Sequence, residues 1–151
     1  LGLKQKDETI TIALSDPYGA ALYNYYAHGE LKAEGSSVAE GIGQSRITAN
    51  LDGAPIDAWF RASDEEGLRY VYDLMQYEGL FVGLSTGINV AGAVQLARKL
   101  GPGKTIVTIL CDYGTRYQSK LFNPEFLHAR NLPVPAWLDR AAQDLPEVFK
   151  G

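Results

Sequence analysis

Apolar and polar positions along this chain follow two periods, and the places where the period changes mark the predicted elements. The clearest change lies between Gly79 and Gly101. Leu80, Phe81 and Val82 predict a short buried strand, and Gly83-Leu84-Ser85-Thr86-Gly87 a tight bend of small residues. From Ile88 onward Val90, Ala93, Val94, Ala97 and Leu100 recur at helical spacing until Gly101-Pro102 stops them. Upstream, Thr9 to Leu14 is rich in β-branched residues and closes on Ser15-Asp16-Pro17, which predicts a buried strand with a loop at its carboxyl end. Ala20 to Tyr26 predicts a short helix or irregular segment. Ile56 to Ala62 alternates as a strand, with Asp57 and Arg61 as surface charges.

Ser63-Asp-Glu-Glu66 is a capping box, so a helix is expected to start there. Leu68, Val71, Tyr72 and Met75 mark its inner face and Gly79 its end. Its acidic first turn suits the helix dipole better than acid/base catalysis. Thr105 to Leu110 predicts a second strongly buried strand, running into Cys111-Asp112-Tyr113-Gly114. Beyond Tyr117 the chain reads as helical or irregular, broken by Pro133, Pro135 and Pro146, with Trp137 and Leu138 docking onto the core. Strands alternating with helices predict an α/β domain.

Composition narrows the function. With 151 residues, 46% hydrophobic and 21% charged, the chain is one domain's worth of packed globular protein. A net charge of -4 without a basic run argues against nucleic acid. No apolar stretch approaches the roughly 18 residues of a membrane span, and no signal segment opens the chain. Cys111 stands alone, which excludes an intrachain disulfide, favours the cytoplasm and predicts a small core residue. No metal site is expected. Leu1 in place of a methionine, and a helix tail over residues 1 to 7, predict the C-terminal portion of a longer protein.

The candidate chemistry gathers at Ser85. A strand, bend and helix in succession set that hydroxyl at a helix N-terminus, where unpaired N–H groups give a positive potential. Gly83-Leu-Ser85-Thr-Gly87 also satisfies the G-x-S-x-G elbow of α/β hydrolases, with Asp112 and His128 following in the hydrolase order. Against that, no HGGG-like loop occurs upstream, and His128 falls on a predicted helix face. Glu40-Gly41-Ile42-Gly43 is a second candidate, although two glycines one residue apart are first of all a turn.

The blocks Asp16-Pro-Tyr-Gly-Ala, Glu40-Gly-Ile-Gly, Ser63-Asp-Glu-Glu, Glu78 to Ala91 and Gly101 to Asn123, in that order, resemble the C-terminal half of the cysteine synthase (O-acetylserine sulfhydrylase) family. The wider group includes cystathionine β-synthase. The resemblance implies pyridoxal 5'-phosphate as cofactor and the tryptophan-synthase β-subunit fold. Residues 1–151 would be an incomplete part of its three-layer αβα large domain. It implies that Ser85 hydrogen-bonds the pyridine nitrogen, that Gly41, Ile42 and Gly43 line the substrate side, and that Asp112 neighbours the nitrogen. A neutral hydroxyl at a positive helix end leaves that nitrogen mostly unprotonated, which suits β-elimination followed by addition of sulfide.

The resemblance also says what is missing. The lysine that bonds the cofactor, the loop that grips the substrate carboxylate and the phosphate loop would all precede this region. Lys4, Lys6, Lys32, Lys99, Lys104, Lys120 and Lys150 stand at none of those positions, so no catalytic residue is assigned and residues 1–151 alone are expected to be inactive. Thr86, Arg46, Thr48 and Cys111-Asp112 depart from common family residues and leave the substrate open. The expectation is therefore a cytoplasmic homodimer making cysteine and acetate from O-acetylserine and sulfide, with serine acetyltransferase as a further partner. A cystathionine β-synthase using serine and homocysteine, the Ser85/Asp112/His128 hydrolase and a non-catalytic binding fragment are the alternatives.

Overall fold

The computed structural model describes residues 2–139. Helix α1 (Gly2–Lys6) leads to β1 (Ala13–Pro17) and α2 (Leu22–His28). After a long excursion come β2 (Ala58–Ala62), α3 (Asp64–Glu78) and α4 (Leu84–Leu100), then a 3-10 turn at Gly114–Tyr117 and α5 (Pro124–Ala129). The strands β1 and β2 pair in parallel, with Ala13 opposite Ala58 and Pro17 opposite Ala62. An α/β fold is thus present, with a sheet of two strands among the described residues.

Local signals explain the helices. Ser63 caps α3, its hydroxyl accepting from the Glu66 N–H at 3.1 Å. The Glu66 carboxylate does not complete the capping box but accepts from Gln95 Nε2 at 3.4 Å, tying α3 to α4. Gly79 ends α3 in the left-handed region at φ 69°. The two helices approach so closely that a Cβ on Gly87 would lie 2.1 Å from the Gly67 carbonyl oxygen. Around that contact Leu68, Val71, Leu84, Ile88 and Ala91 form the core, with Tyr72, Tyr117, Leu121 and Leu127 beside them. Trp137 and Leu138 pack against it as expected, the Trp137 ring edge-on to Tyr72 at 5.7 Å. Helix α4 also crosses the sheet, where Ser15 donates to the Ile88 carbonyl at 2.6 Å.

Several expectations need correction. The strand expected over 9 to 14 begins only at Ala13 and runs through Ser15-Asp16-Pro17. Leu80 to Val82 forms a single antiparallel bridge, Val82 to Tyr113, and no strand. Thr105 to Leu110 is neither a strand nor buried: Val107 is 85% exposed and Ile109 68%. A β-branched run becomes a strand only where a neighbour completes its ladder, and no described residue pairs with this one. Cys111, at its end, is accordingly exposed and not a core residue. Arg61 is no surface charge. It stands opposite Asp16 in the sheet, its guanidinium between the rings of Tyr18 and Tyr23, 5.0 and 4.3 Å from their centroids. Pro146, expected to break the tail, lies outside the described residues.

Candidate functional site

Helix α4 starts at Leu84, four residues before the apolar periodicity becomes visible, so Ser85 lies inside its first turn and not in the bend before it. The N-cap is Gly83, which offers no side-chain cap. The start is instead fixed by the segment from Ile109 to Gly114. Gly83 N–H donates to the Asp112 carbonyl at 2.9 Å, and Gly114 N–H to the Phe81 carbonyl at 2.9 Å. The Thr86 hydroxyl accepts from the Cys111 N–H at 2.9 Å, and Asn89 Nδ2 donates to the Ile109 carbonyl at 3.0 Å. Two neighbouring hydroxyls are therefore used differently. Thr86 is fully buried and engaged with backbone. Ser85 is 4% exposed, and no hydrogen bond of its hydroxyl occurs among the described residues.

Asp112 is held close by. Its Oδ2 accepts from the Tyr117 hydroxyl at 2.7 Å and from Arg116 Nη1 at 3.3 Å. The Tyr117 phenol is pushed above its ordinary pKa by burial first and by the Asp112 carboxylate second, so it stays a donor. His128 is exposed on α5, and no hydrogen bond joins its imidazole to Ser85 or Asp112 among the described residues. The Ser85/Asp112/His128 relay of a hydrolase is not assembled among the described residues; the side chains on Asp112 are Tyr117 and Arg116.

The glycine loop lies at the carboxyl end of β1. Gly41 and Gly43 take φ of 73° and 84°, which explains the two glycines. A Cβ on Gly43 would lie 2.8 Å from that of Ala20 and 3.0 Å from Pro17 Cγ, so the loop rests on the carboxyl end of β1. A cleft of about 310 Å³ opens there, lined by Pro17, Tyr18, Ser37, Ile42 and Gly43 among others. Ile42 packs against the core cluster that holds Leu84 and Tyr117, and Glu40 forms an ion pair with Lys120. Asp64, in the first turn of α3, accepts from the Ser37 hydroxyl and, at 2.8 Å, from the Val38 N–H. Ser85 and Asp112 are thus brought together at the start of α4, whereas Gly43 rests on Pro17 and Ala20 beside a cleft that neither Ser85 nor Asp112 lines. A roomier cavity of about 810 Å³, between α3 and residues 131 to 137, contains none of them.

The sequence missed two residues. Asp16 is buried, accepts from the Tyr23 N–H at 2.9 Å and caps the start of α2. Burial raises its pKa, against the opposing pull of that N–H and of Arg61. The sequence places Tyr117 only at the start of a helical or irregular stretch. The signal for the first was an acidic residue just ahead of a helix; for the second there was none short of the fold.

A hydroxyl on a residue only 4% exposed, at the positive end of a helix and without a partner among the described residues, suits a neutral acceptor and repels a cation. The ring nitrogen of a pyridine is such an acceptor. Residues 1–112 match the family described as pyridoxal-phosphate dependent enzyme. This chain belongs to that family. It is 43% identical to cysteine synthase 2 of Schizosaccharomyces pombe over 91% of its own length and 38% of that protein. It is 40% identical to a Dictyostelium discoideum cysteine synthase, over 87% of this chain and 38% of the other. Among solved structures, the O-acetylserine dependent cystathionine β-synthase of Helicobacter pylori matches with a TM-score of 0.69 and 32% identity, over 78% of this chain and 36% of that one. The chain thus spans well under half the length of these relatives. The α/β fold is shared with the solved relative over that portion. No described helix is long and apolar enough to cross a membrane.

Proposed function

We propose that the protein carrying this chain is a cysteine synthase-like enzyme that replaces the acetate of O-acetylserine with sulfide. The Cα–H and Cβ–O bonds break, a Cβ–S bond forms, and a proton returns to Cα, giving cysteine and acetate. The single observation that carries the reading is Ser85, a residue 4% exposed in the first turn of α4 whose hydroxyl has no partner among the described residues. Pyridoxal phosphate, when bound, supplies the electron sink that lets the α-proton leave. Ser85 donates to the ring nitrogen and, at a positive helix end, offers it no proton to keep. Gly41 and Gly43 let a substrate approach the backbone where side chains would stand in the way. Asp112 lies at the nitrogen end. The whole protein is proposed to be a cytoplasmic homodimer that also takes the C-terminal tail of serine acetyltransferase, as the family resemblance implies.

The test is an assay of the full-length protein. Cysteine should form from O-acetylserine and sulfide, and Ser85→Ala should lower kcat about tenfold, the worth of about one hydrogen bond. Labelling of Ser85 by a fluorophosphonate, with no cysteine formed, would overturn the reading. The name of the solved relative favours one alternative, a thiol acceptor larger than sulfide. Faster turnover of O-acetylserine or serine with homocysteine than with sulfide would decide for it.

A further inference from the structure

A serine partner for the ring nitrogen is useful only if no nearby acid supplies the proton that the serine withholds. Asp112 is such an acid in this chain, its backbone bonded to Gly83 and its residue only partly covered. Its carboxylate is nevertheless committed. Tyr117 donates to Oδ2 at 2.7 Å and Arg116 to the same oxygen at 3.3 Å. Tyr117 is only 5% exposed, and its ring fills the space beside the α4 cap: a Cβ on Gly83 would lie 2.4 Å from Tyr117 Cε2. The phenol therefore cannot swing away without emptying the space against Gly83. The other charges near this cluster are Glu40, on the glycine loop, and Lys120, which pairs with it.

From these contacts we infer that Tyr117 is a positioning residue that restrains the Asp112 carboxylate, so that the ring nitrogen meets the Ser85 hydroxyl and not an acid. The inference rests on the proposed role of Ser85. A hydrogen bond to a charged group and a ring wedged against Gly83 act together. The first fixes where the carboxylate points and the second fixes the phenol that holds it. Tyr117→Phe keeps the wedge and removes the shorter bond, so the helix start survives while the carboxylate is held only by Arg116, an exposed side chain 3.3 Å away. A free carboxylate beside a pyridine nitrogen raises its basicity, which the bound cofactor reports through its absorption and emission.

The experiment uses the full-length holoenzyme and reads the absorption and emission bands of bound pyridoxal phosphate, its dissociation constant, and the pH at which the bands change. Four proteins are compared: wild type, Ser85→Ala, Tyr117→Phe and the double variant Tyr117→Phe/Asp112→Asn. In Tyr117→Phe the spectral transition should move upward by about one pH unit, the usual size of a nearby-charge effect. In the double variant it should return to the wild-type position, because the charge that caused the shift is gone. A shift that persists in the double variant would mean that Tyr117 acts through packing and would overturn the inference. An unchanged Tyr117→Phe spectrum beside an altered Ser85→Ala spectrum would overturn it while leaving Ser85 in its role. Unchanged spectra and cofactor affinity in Ser85→Ala would remove the Ser85 reading and this inference together.

Discussion

Helix α4 has two flanks, and they differ in how completely they are covered. Toward α3 and the sheet it is closed, with Gly87 against the Gly67 carbonyl and Gly92 against Ser15. Toward Thr105 to Leu110 a cleft of about 630 Å³ separates it from that run, which it meets through Asn89, while Val107, Ile109 and Leu110 are exposed. The same hydrophobic character therefore has two outcomes in one molecule. On the closed flank each apolar side chain meets another that comes from a locally specified helix. On the open flank the apolar run has strand-forming residues but no adjacent strand among the described residues, and a strand without a neighbour gains nothing from its propensity.

The sharpest way to break the closed flank is to thicken it. In Gly87→Ala the new methyl would meet backbone, the Gly67 carbonyl oxygen, and not the tip of a side chain that can turn aside. A loss of about 3 kcal/mol is expected, the upper range for overpacking, read as a lower urea midpoint with an unchanged slope. Gly67→Ala is the control. Its methyl meets Leu84 Cδ1, a flexible end, and the gain in helix propensity of about 1 kcal/mol offsets part of the clash. Equal losses in the two variants would show that this flank is looser than its geometry implies.

A smaller effect tests the cap that sets the closed flank in place. Ser63→Ala removes the bond to the Glu66 N–H, and a loss of about 1 kcal/mol is expected in the same denaturation experiment. The cap also shows why parts of the fold were legible in the sequence. Ser63 with Glu66, and Gly79 at the far end, act within one turn of themselves, so their spacing alone predicts α3. Ser85 was legible as a helix-start residue for the same reason, although the absence of a side-chain cap at Gly83 hid the true first turn. Asp16 and Arg61 were not legible. They are 45 positions apart in numbering and become neighbours only through the parallel register of β1 and β2. Tyr117 likewise gains its part only when residues 111 to 117 are laid along the start of α4. The run from Thr105 misled for the opposite reason, since its composition specifies what it needs and not whether the need is met.

Asp16 gives the closed flank a dependence on pH. Its folded pKa is raised by burial, so the folded state prefers the protonated acid. The stability that goes with protonation is fully present below the unfolded value of about 3.9 and is lost as pH rises through the raised folded value. An amide carries no charge to bury but can still accept from the Tyr23 N–H. The advantage of Asp16→Asn over wild type is therefore expected to grow between pH 4 and pH 7, as a widening gap in urea midpoint. A gap that narrows over that range would mean that Arg61 stabilises the carboxylate more than burial penalises it.

The smallest expected change in stability lies on the open flank. Val107→Thr keeps a β-branched side chain of nearly the same shape and adds a hydroxyl that water can reach, because the position is 85% exposed. Removing an apolar group that is already in water forfeits almost no burial, so the unfolding free energy should stay within about 0.5 kcal/mol of the parent chain. Self-association should fall, since exposed β-branched runs without a partner strand are sites of edge-to-edge pairing. Light scattering of parent and variant at matched concentration reads that difference. If Val107→Thr instead costs more than about 1 kcal/mol, the valine is packed in solution. The contrast between the two flanks of α4 would then be one of degree.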